Sequence, residues 1–201
     1  MANGRVITGY SKPYVALYAV SDNTVSYSGG IPLARGVSVS IDPESGDGTD
    51  FYADNVTAES VGGTFTGGTV TLTVDGLKDA ARKLVMGIVT ENTVTIGSGT
   101  SVKVYDYDDQ QTAPYIGIGF IVRYMENGVT SYVPHIICKT VFSPEGLDAA
   151  TQEEDIEFQT TELEATIMRD DSQYHRWQRI AEAQTTETAA ENVIKNLLNI
   201  S

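Results

Sequence analysis

The sequence predicts a mainly β fold with flanking helices, and three observations predict it. Residues 114–142 form two long β-patterned stretches that meet at Asn127-Gly128, the dipeptide best suited to a two-residue hairpin turn, whose central residues need positive φ. Residues 35–41 and 67–74 alternate apolar and hydroxyl side chains with period two, the pattern of half-buried strands. Helical spacing is confined to a stretch after Asp75 and to the C-terminal region.

In chain order, Tyr14, Ala16 and Tyr18 alternate with Val15, Leu17 and Ala19. The turn-like Ser21-Asp22-Asn23 precedes residues 24–27, which predicts an opening hairpin. Val37, Val39 and Ile41 define one face of the next strand, with Ser38 and Ser40 on the other. Residues 42–63 are rich in Gly, Ser, Asp and Glu, and predict a long connection with room for one short strand. Connections beyond about 12–15 residues are usually functional or disordered, so a contact arm or mobile flap is expected there. Val70, Leu72 and Val74 oppose Thr69, Thr71 and Thr73 in the 67–74 strand. Asp75 then offers an N-cap to an amphipathic helix carrying Leu77, Ala80, Ala81, Leu84, Val85 and Ile88 and fading near Gly87. Residues 90–112 are polar, with Val102, Val104 and Tyr105 as one short strand.

Counting outward from Asn127-Gly128 sets the long hairpin's register. Glu126 opposes Val129, Tyr124 Ser131, Val122 Val133, Phe120 His135 and Ile118 Ile137. The other face sets Tyr115, Gly117, Gly119, Ile121, Arg123 and Met125 against Thr140, Cys138, Ile136, Pro134, Tyr132 and Thr130. It is too apolar for a solvated surface, so something should cover it. Each arm would reach roughly 40 Å at about 3.3 Å per residue, long for a small sandwich and a hint of assembly. Residues 151–169 are strand-like but change phase between Ile156/Phe158 and Leu163/Ala165/Ile167, which predicts a break near 159–161. Tyr174, Trp177, Ile180 and Ala181 suggest a helix. Ala189, Val193, Ile194, Leu197 and Leu198 suggest another, capped at Thr185 or Thr186. The expected organisation is a single domain over 1–201, with a long loop at 42–63 and a peripheral helical segment at 170–201.

A chain of 201 residues can bury about 70% of its unfolded surface, enough for a core without staples. Its one cysteine, Cys138, leaves no intrachain disulfide. No apolar run approaches the roughly 20 residues that span a bilayer, and residues 1–10 lack a signal-peptide apolar region, so a soluble protein made in the cytoplasm is expected. With 13 basic against 27 acidic residues the formal net charge is −14. The cations are scattered, which argues against binding nucleic acid through phosphate neutralisation.

The chemical inventory is poor. His135 and His175 lack ligand spacing with each other or with Cys138, so neither a metal site nor a cofactor is expected. Cys138, beside Ile136 and Ile137, reads as a small buried hydrophobe. The acidic run Asp42, Glu44, Asp47 and Asp50 invites calcium but departs from the EF-hand order, and a solvated or partner-facing loop is the simpler reading. Gly117-Ile118-Gly119 lacks the third glycine and following helix of a phosphate cradle, and suits close approach by a backbone or large side chain. Glu153, Glu154, Asp155, Glu157, Glu162 and Glu164 read as the solvent side of a strand. With no nucleophile elbow or Ser-His-Asp set, no enzyme is expected.

Six stretches taken together are more specific than any one alone. GRVITGYSKPYVA from Gly4, IPLARGVSVSI from Ile31, FYADNV from Phe51, GTVTLTVDGL from Gly68, GIGFIVRY from Gly117 and ELEATIMRDD from Glu162 resemble the major tail proteins of long-tailed bacteriophages of Gram-positive bacteria. The likeness covers nearly the whole chain. It implies two packed antiparallel β-sheets with a flanking helix, hexameric rings, and stacking of the rings into a hollow tail tube through which double-stranded DNA passes. It further implies a virion location and partners such as tape measure, tail terminator and distal tail proteins. On this resemblance the 42–63 loop contacts the next ring, with Asp42, Glu44, Asp47, Asp50, Phe51 and Tyr52 as candidates. Tyr115, Gly117, Gly119, Ile121, Arg123 and Tyr132 become candidates for the subunit interface or lumen wall, and Glu154, Asp155, Glu157, Glu162 and Glu164 for an acidic lumen. Like charge within about 8 Å of the wall would keep DNA from sticking.

Two alternatives stay open. The same fold serves the inner tube of a contractile tail, a tail-like bacteriocin or a secretion tube. A cell- or glycan-binding β-sandwich is a different class, for which Tyr105, Tyr107 and Tyr115 are the hint.

Overall fold

The computed structural model describes residues 4–97, 99–147, 149, 151 and 158–200. In chain order these form β1 (Val6–Ser21), β2 (Thr24–Pro32), β3 (Gly36–Ser45), β4 (Thr49–Ala53), β5 (Val56–Val61), β6 (Phe65–Val74) and α1 (Asp79–Met86). There follow β7 (Glu91–Ile96), β8 (Thr100–Tyr105), β9 (Ile116–Glu126), β10 (Val129–Phe142), β11 (Thr161–Met168), β12 (Gln178–Ile180) and α2 (Glu187–Leu197). The fold is mainly β and its ladders are antiparallel.

The long hairpin is β9–β10, in the predicted register from Glu126/Val129 to Ile118/Ile137. Asn127 and Gly128 both have positive φ, 50° and 79°, as a type I′ turn requires. Beyond Ile137 the register shifts, so that Ile116 pairs with Thr140. The expected oppositions of Tyr115 to Thr140 and Gly117 to Cys138 are therefore corrected by a bulge, which bends and twists a strand. On its far side β10 pairs with β12 through His135–Ile137 and with β11 through Lys139–Phe142. One strand thus serves two neighbours in succession.

The main sheet runs β2-β1-β9-β10-β11-β6-β3. The expected pair of packed sheets is one continuous sheet doubled over at β10. Val15, Ile118 and Phe120 from one half share a core with Leu72, Leu163 and Ile167 from the other. At the open side Tyr10 of β1 lies on Gly36 of β3, where a Cβ would fall 2.2 Å from the ring, so only glycine permits this closure. A register shift between Gly36 and Ser38 turns Val37 out to solvent, and only Val39 and Ile41 of the predicted row reach the core.

Local chemistry explains the other departures. Asp75 does not cap α1, because its carboxylate accepts from the backbone N–H and Nε of Arg35. The helix begins at Asp79 and ends at Gly87, whose φ of 64° suits glycine. The 42–63 connection is largely the β4–β5 hairpin, which turns at Asp54-Asn55 with φ of 51° and 64°. Residues 91–105 form a second hairpin, β7–β8, in place of one short strand. The helix expected around Tyr174 and Trp177 is absent. Asp170 Oδ1 accepts from Ser172 N, Ser172 Oγ and Arg176 N, a carboxylate turn that competes with helix. The following residues enter β12, and Trp177 stacks on Phe65 with centroids 4.7 Å apart. α2 is capped by Thr186, whose Oγ1 accepts from Ala189 N at 3.2 Å. Residues 170–200 are therefore neither wholly helical nor peripheral. The phase change before β11 involves Ile156, outside the described residues, whereas Phe158 is exposed and Leu163, Ala165 and Ile167 are buried.

Candidate self-assembly surfaces

The apolar second face of β9–β10 is covered by the chain's own helix. Ala190, Ile194 and Leu198 of the α2 region are buried against Tyr14, Ala16, Tyr27, Ile121 and Ile136. Each large apolar side chain fully buried contributes about 1.5–3 kcal/mol. A Cβ on Gly119 would stand 2.5 Å from Ile194 Cγ2, and one on Gly117 2.3 Å from the Tyr27 ring. The two glycines are what let helix and tyrosine approach the sheet. Gly117, Gly119 and Ile121, expected at a neighbour or lumen, have no surface left to offer. Of the other three candidates, Tyr115 is 48% exposed. Arg123 is exposed and donates from Nη2 to the Thr8 carbonyl at 3.1 Å. Tyr132 is half-buried and bridges to Gln184.

A charged clamp fixes α2 to β1. Glu191 accepts from Tyr14 Oη at 2.6 Å, Lys12 Nζ at 2.5 Å and Lys195 Nζ at 3.0 Å. The hydrogen bonds from Lys12 and Tyr14 lower its carboxyl pKa to about 2. Burial also shifts two groups elsewhere. Burial pushes the Cys138 thiol up to about 11, disfavouring the thiolate. His135 stacks on Phe120, places Nδ1 3.3 Å from Gln178 Nε2, and is held below its ordinary pKa by burial. Among the described residues no three His, Cys, Asp or Glu gather for a metal ion, and no helix is long and apolar enough to cross a membrane.

The outer face of β11-β6-β3 is polar. Glu162 and Glu164 point outward between buried Leu163 and Ala165 and oppose Thr73 and Thr71, which in turn oppose Ser38 and Ser40. Glu154, Asp155 and Glu157 lie outside the described residues.

Two hairpins lie outside this sheet, each paired only with itself. Phe51, Tyr52, Val56 and Val61 of β4–β5 are each more than 60% exposed. Asp42 and Glu44 occupy the exposed end of β3, Asp47 the following linker and Asp50 the start of the arm. No Lys or Arg occurs from 36 to 77, so the arm is acidic throughout. In β7–β8, the pairing of Val94 with Val102 and Asn92 with Val104 puts Val94, Ile96, Val102 and Val104 on one face. Glu91, Thr93, Thr95, Ser101, Lys103 and Tyr105 occupy the other, where Tyr105 packs against the main core and Glu91 pairs with Lys83 of α1. All four aliphatic side chains of this ribbon are exposed. Sequence reading missed this surface, although the alternation in 92–96 and 101–104 around Gly97 and Gly99 carries its signal. An amphipathic ribbon with an uncovered apolar face is a candidate contact surface, since two strands alone are marginally stable in water.

Comparison of the sequence with models of known protein families gave no match, and comparison with curated proteins gave none either.

Proposed function

We propose that this protein is a non-catalytic structural subunit that self-assembles into stacked hexameric rings, forming a phage tail tube that conducts DNA into the host. The observation that carries this reading is the pair of arms, β4–β5 and β7–β8, which expose Phe51, Tyr52, Val94, Ile96, Val102 and Val104, side chains that belong to neither core cluster. Apolar area that contributes nothing to the subunit's own core favours association. The sheet also ends at β2 and β3, and such edges can pair with strands of another copy. The Glu162/Glu164 face and the net charge of −14 suit a conduit that must repel DNA rather than bind it.

Electron microscopy and sedimentation of the purified protein across a concentration series test the reading. Rings or tubes are expected, and a chain that stays monomeric at millimolar concentration overturns it. Shortening the arm between Glu44 and Gly62 should abolish stacking while leaving the subunit folded.

A further inference from the structure

We infer that the cavity between β2, the 170–176 turn and the C-terminal end of α2 receives the acidic β4–β5 arm of a second copy of this chain. The inference rests on the self-assembly reading and names the surface that the arm meets. The cavity measures about 680 Å³ and is lined by Tyr27, Tyr174, Arg176, Arg179, Leu197 and Asn199 among others. Arg176 lies over the Tyr174 ring at 4.4 Å. Among the described residues neither Arg176 nor Arg179 has a carboxylate within ion-pair distance. In a chain with 27 acids and 13 bases, two such guanidiniums in one concavity form a site for an anionic partner.

The neighbouring carboxylates do not fill that role. Asp170 is buried and its Oδ1 is engaged by three donors of its own turn, and Asp22 stands in the exposed β1–β2 turn. The other cations without an ion pair do not line this cavity. Arg5 covers the Tyr124 ring much as Arg176 covers that of Tyr174, Arg123 donates to the Thr8 carbonyl, Arg169 donates to the Phe65 carbonyl, and Lys78 stands exposed before α1. The complementary surface is the β4–β5 arm with the linker before it, which together carry Asp47, Asp50, Asp54 and Glu59, no cation, and the exposed rings of Phe51 and Tyr52. Carboxylates facing two arginines, with aromatic rings beside Tyr174, are the kind of contact that dominates binding at interfaces.

Charge reversal tests this. Arg176→Glu with Arg179→Glu should raise the concentration at which assembly begins by about tenfold or more, as expected when opposed charges are made alike across a contact. Asp47→Lys, Asp50→Lys and Glu59→Lys on the arm and its linker should do the same, at exposed sites where folding is undisturbed by circular dichroism. Combining both sets in one chain should restore assembly, whereas Lys78→Glu alone should leave it unchanged. Wild-type onset in either reversed variant, or failure of the combined chain to recover, overturns the inference and leaves the tube reading standing. A wild-type chain that never assembles overturns both.

Discussion

β9–β10 and β7–β8 are both antiparallel ribbons with apolar residues at alternate positions, yet one is covered on both faces and the other leaves its apolar face bare. β9–β10 is flanked by β1 on one side and by β11 and β12 on the other, and α2 roofs it. β7–β8 pairs only with itself and leaves Val94, Ile96, Val102 and Val104 in solvent. The same alternation therefore stabilises the fold in one place and leaves an apolar face in solvent in the other. Coverage, set by chain connectivity, decides which.

Four changes would break or sharpen that contrast. Ile194→Ala should have the largest effect, because a fully buried side chain is truncated at the centre of the α2 contact. A loss of about 2–5 kcal/mol is expected in chemical denaturation. A loss below about 1 kcal/mol, within the range of surface substitutions, would mean that α2 does not seal this face. Gly119→Ala tests the same seal from the strand side. Its Cβ meets Ile194 and Leu198 at 2.5 and 3.0 Å, so overpacking should cost about 1–3 kcal/mol. A neutral or stabilising result would mean that the helix rides freely on the sheet.

Glu191→Gln removes the charge of the clamp and should cost about 1.5 kcal/mol at neutral pH, the lower end of the scale for hydrogen bonds to charged groups. The folded carboxyl pKa, about 2, lies below the ordinary value of 4.5. The clamp's contribution is therefore fully present above pH 4.5 and lost as pH falls toward 2. Melting curves of wild type and variant should converge across that window, and a difference independent of pH would refute the clamp. The smallest effect on the subunit belongs to Val94→Ser with Val102→Ser. Stability of the monomer should change by no more than about 0.5 kcal/mol per site, while the onset of assembly moves to higher concentration in sedimentation. A large loss of monomer stability would show that β7–β8 belongs to the core after all.

The sequence carried the elements whose cause is local. Asn127-Gly128 encodes its own turn, and side-chain alternation extends the pairing as far as Ile118/Ile137 without reference to the rest of the chain. The cap of α2 at Thr186 is equally local. Asp54-Asn55 turns the β4–β5 arm in the same way, though the acidity of 42–63 suggests a loop when read by composition. Elsewhere an apolar pattern had more than one solution. Trp177 and Ile180 fit helical spacing, but the Asp170 carboxylate gathers three donors and Trp177 finds Phe65, so the chain turns and enters β12. Asp75 has the chemistry of an N-cap and is taken by Arg35 instead.

Of the candidate surface residues, Phe51 and Tyr52 emerge on an exposed arm, and Glu162 and Glu164 on the solvent face of a strand, where side-chain alternation puts them. Gly117, Gly119 and Ile121 lie beneath α2, because spacing shows that a face needs cover without naming what covers it.

By itself the sequence determined a mainly β chain, the register of its central hairpin, the strands at 35–41 and 67–74, and a terminal helix, since each follows from steric limits on φ and from side-chain periodicity within a few residues. Tertiary structure alone decided that β10 bends at 137–140 to join two layers into one sheet, that α2 rather than a neighbour covers the glycine face, and that β4–β5 and β7–β8 remain uncovered. Those outcomes depend on which distant surfaces meet, and burial is a property of the meeting, not of either segment alone.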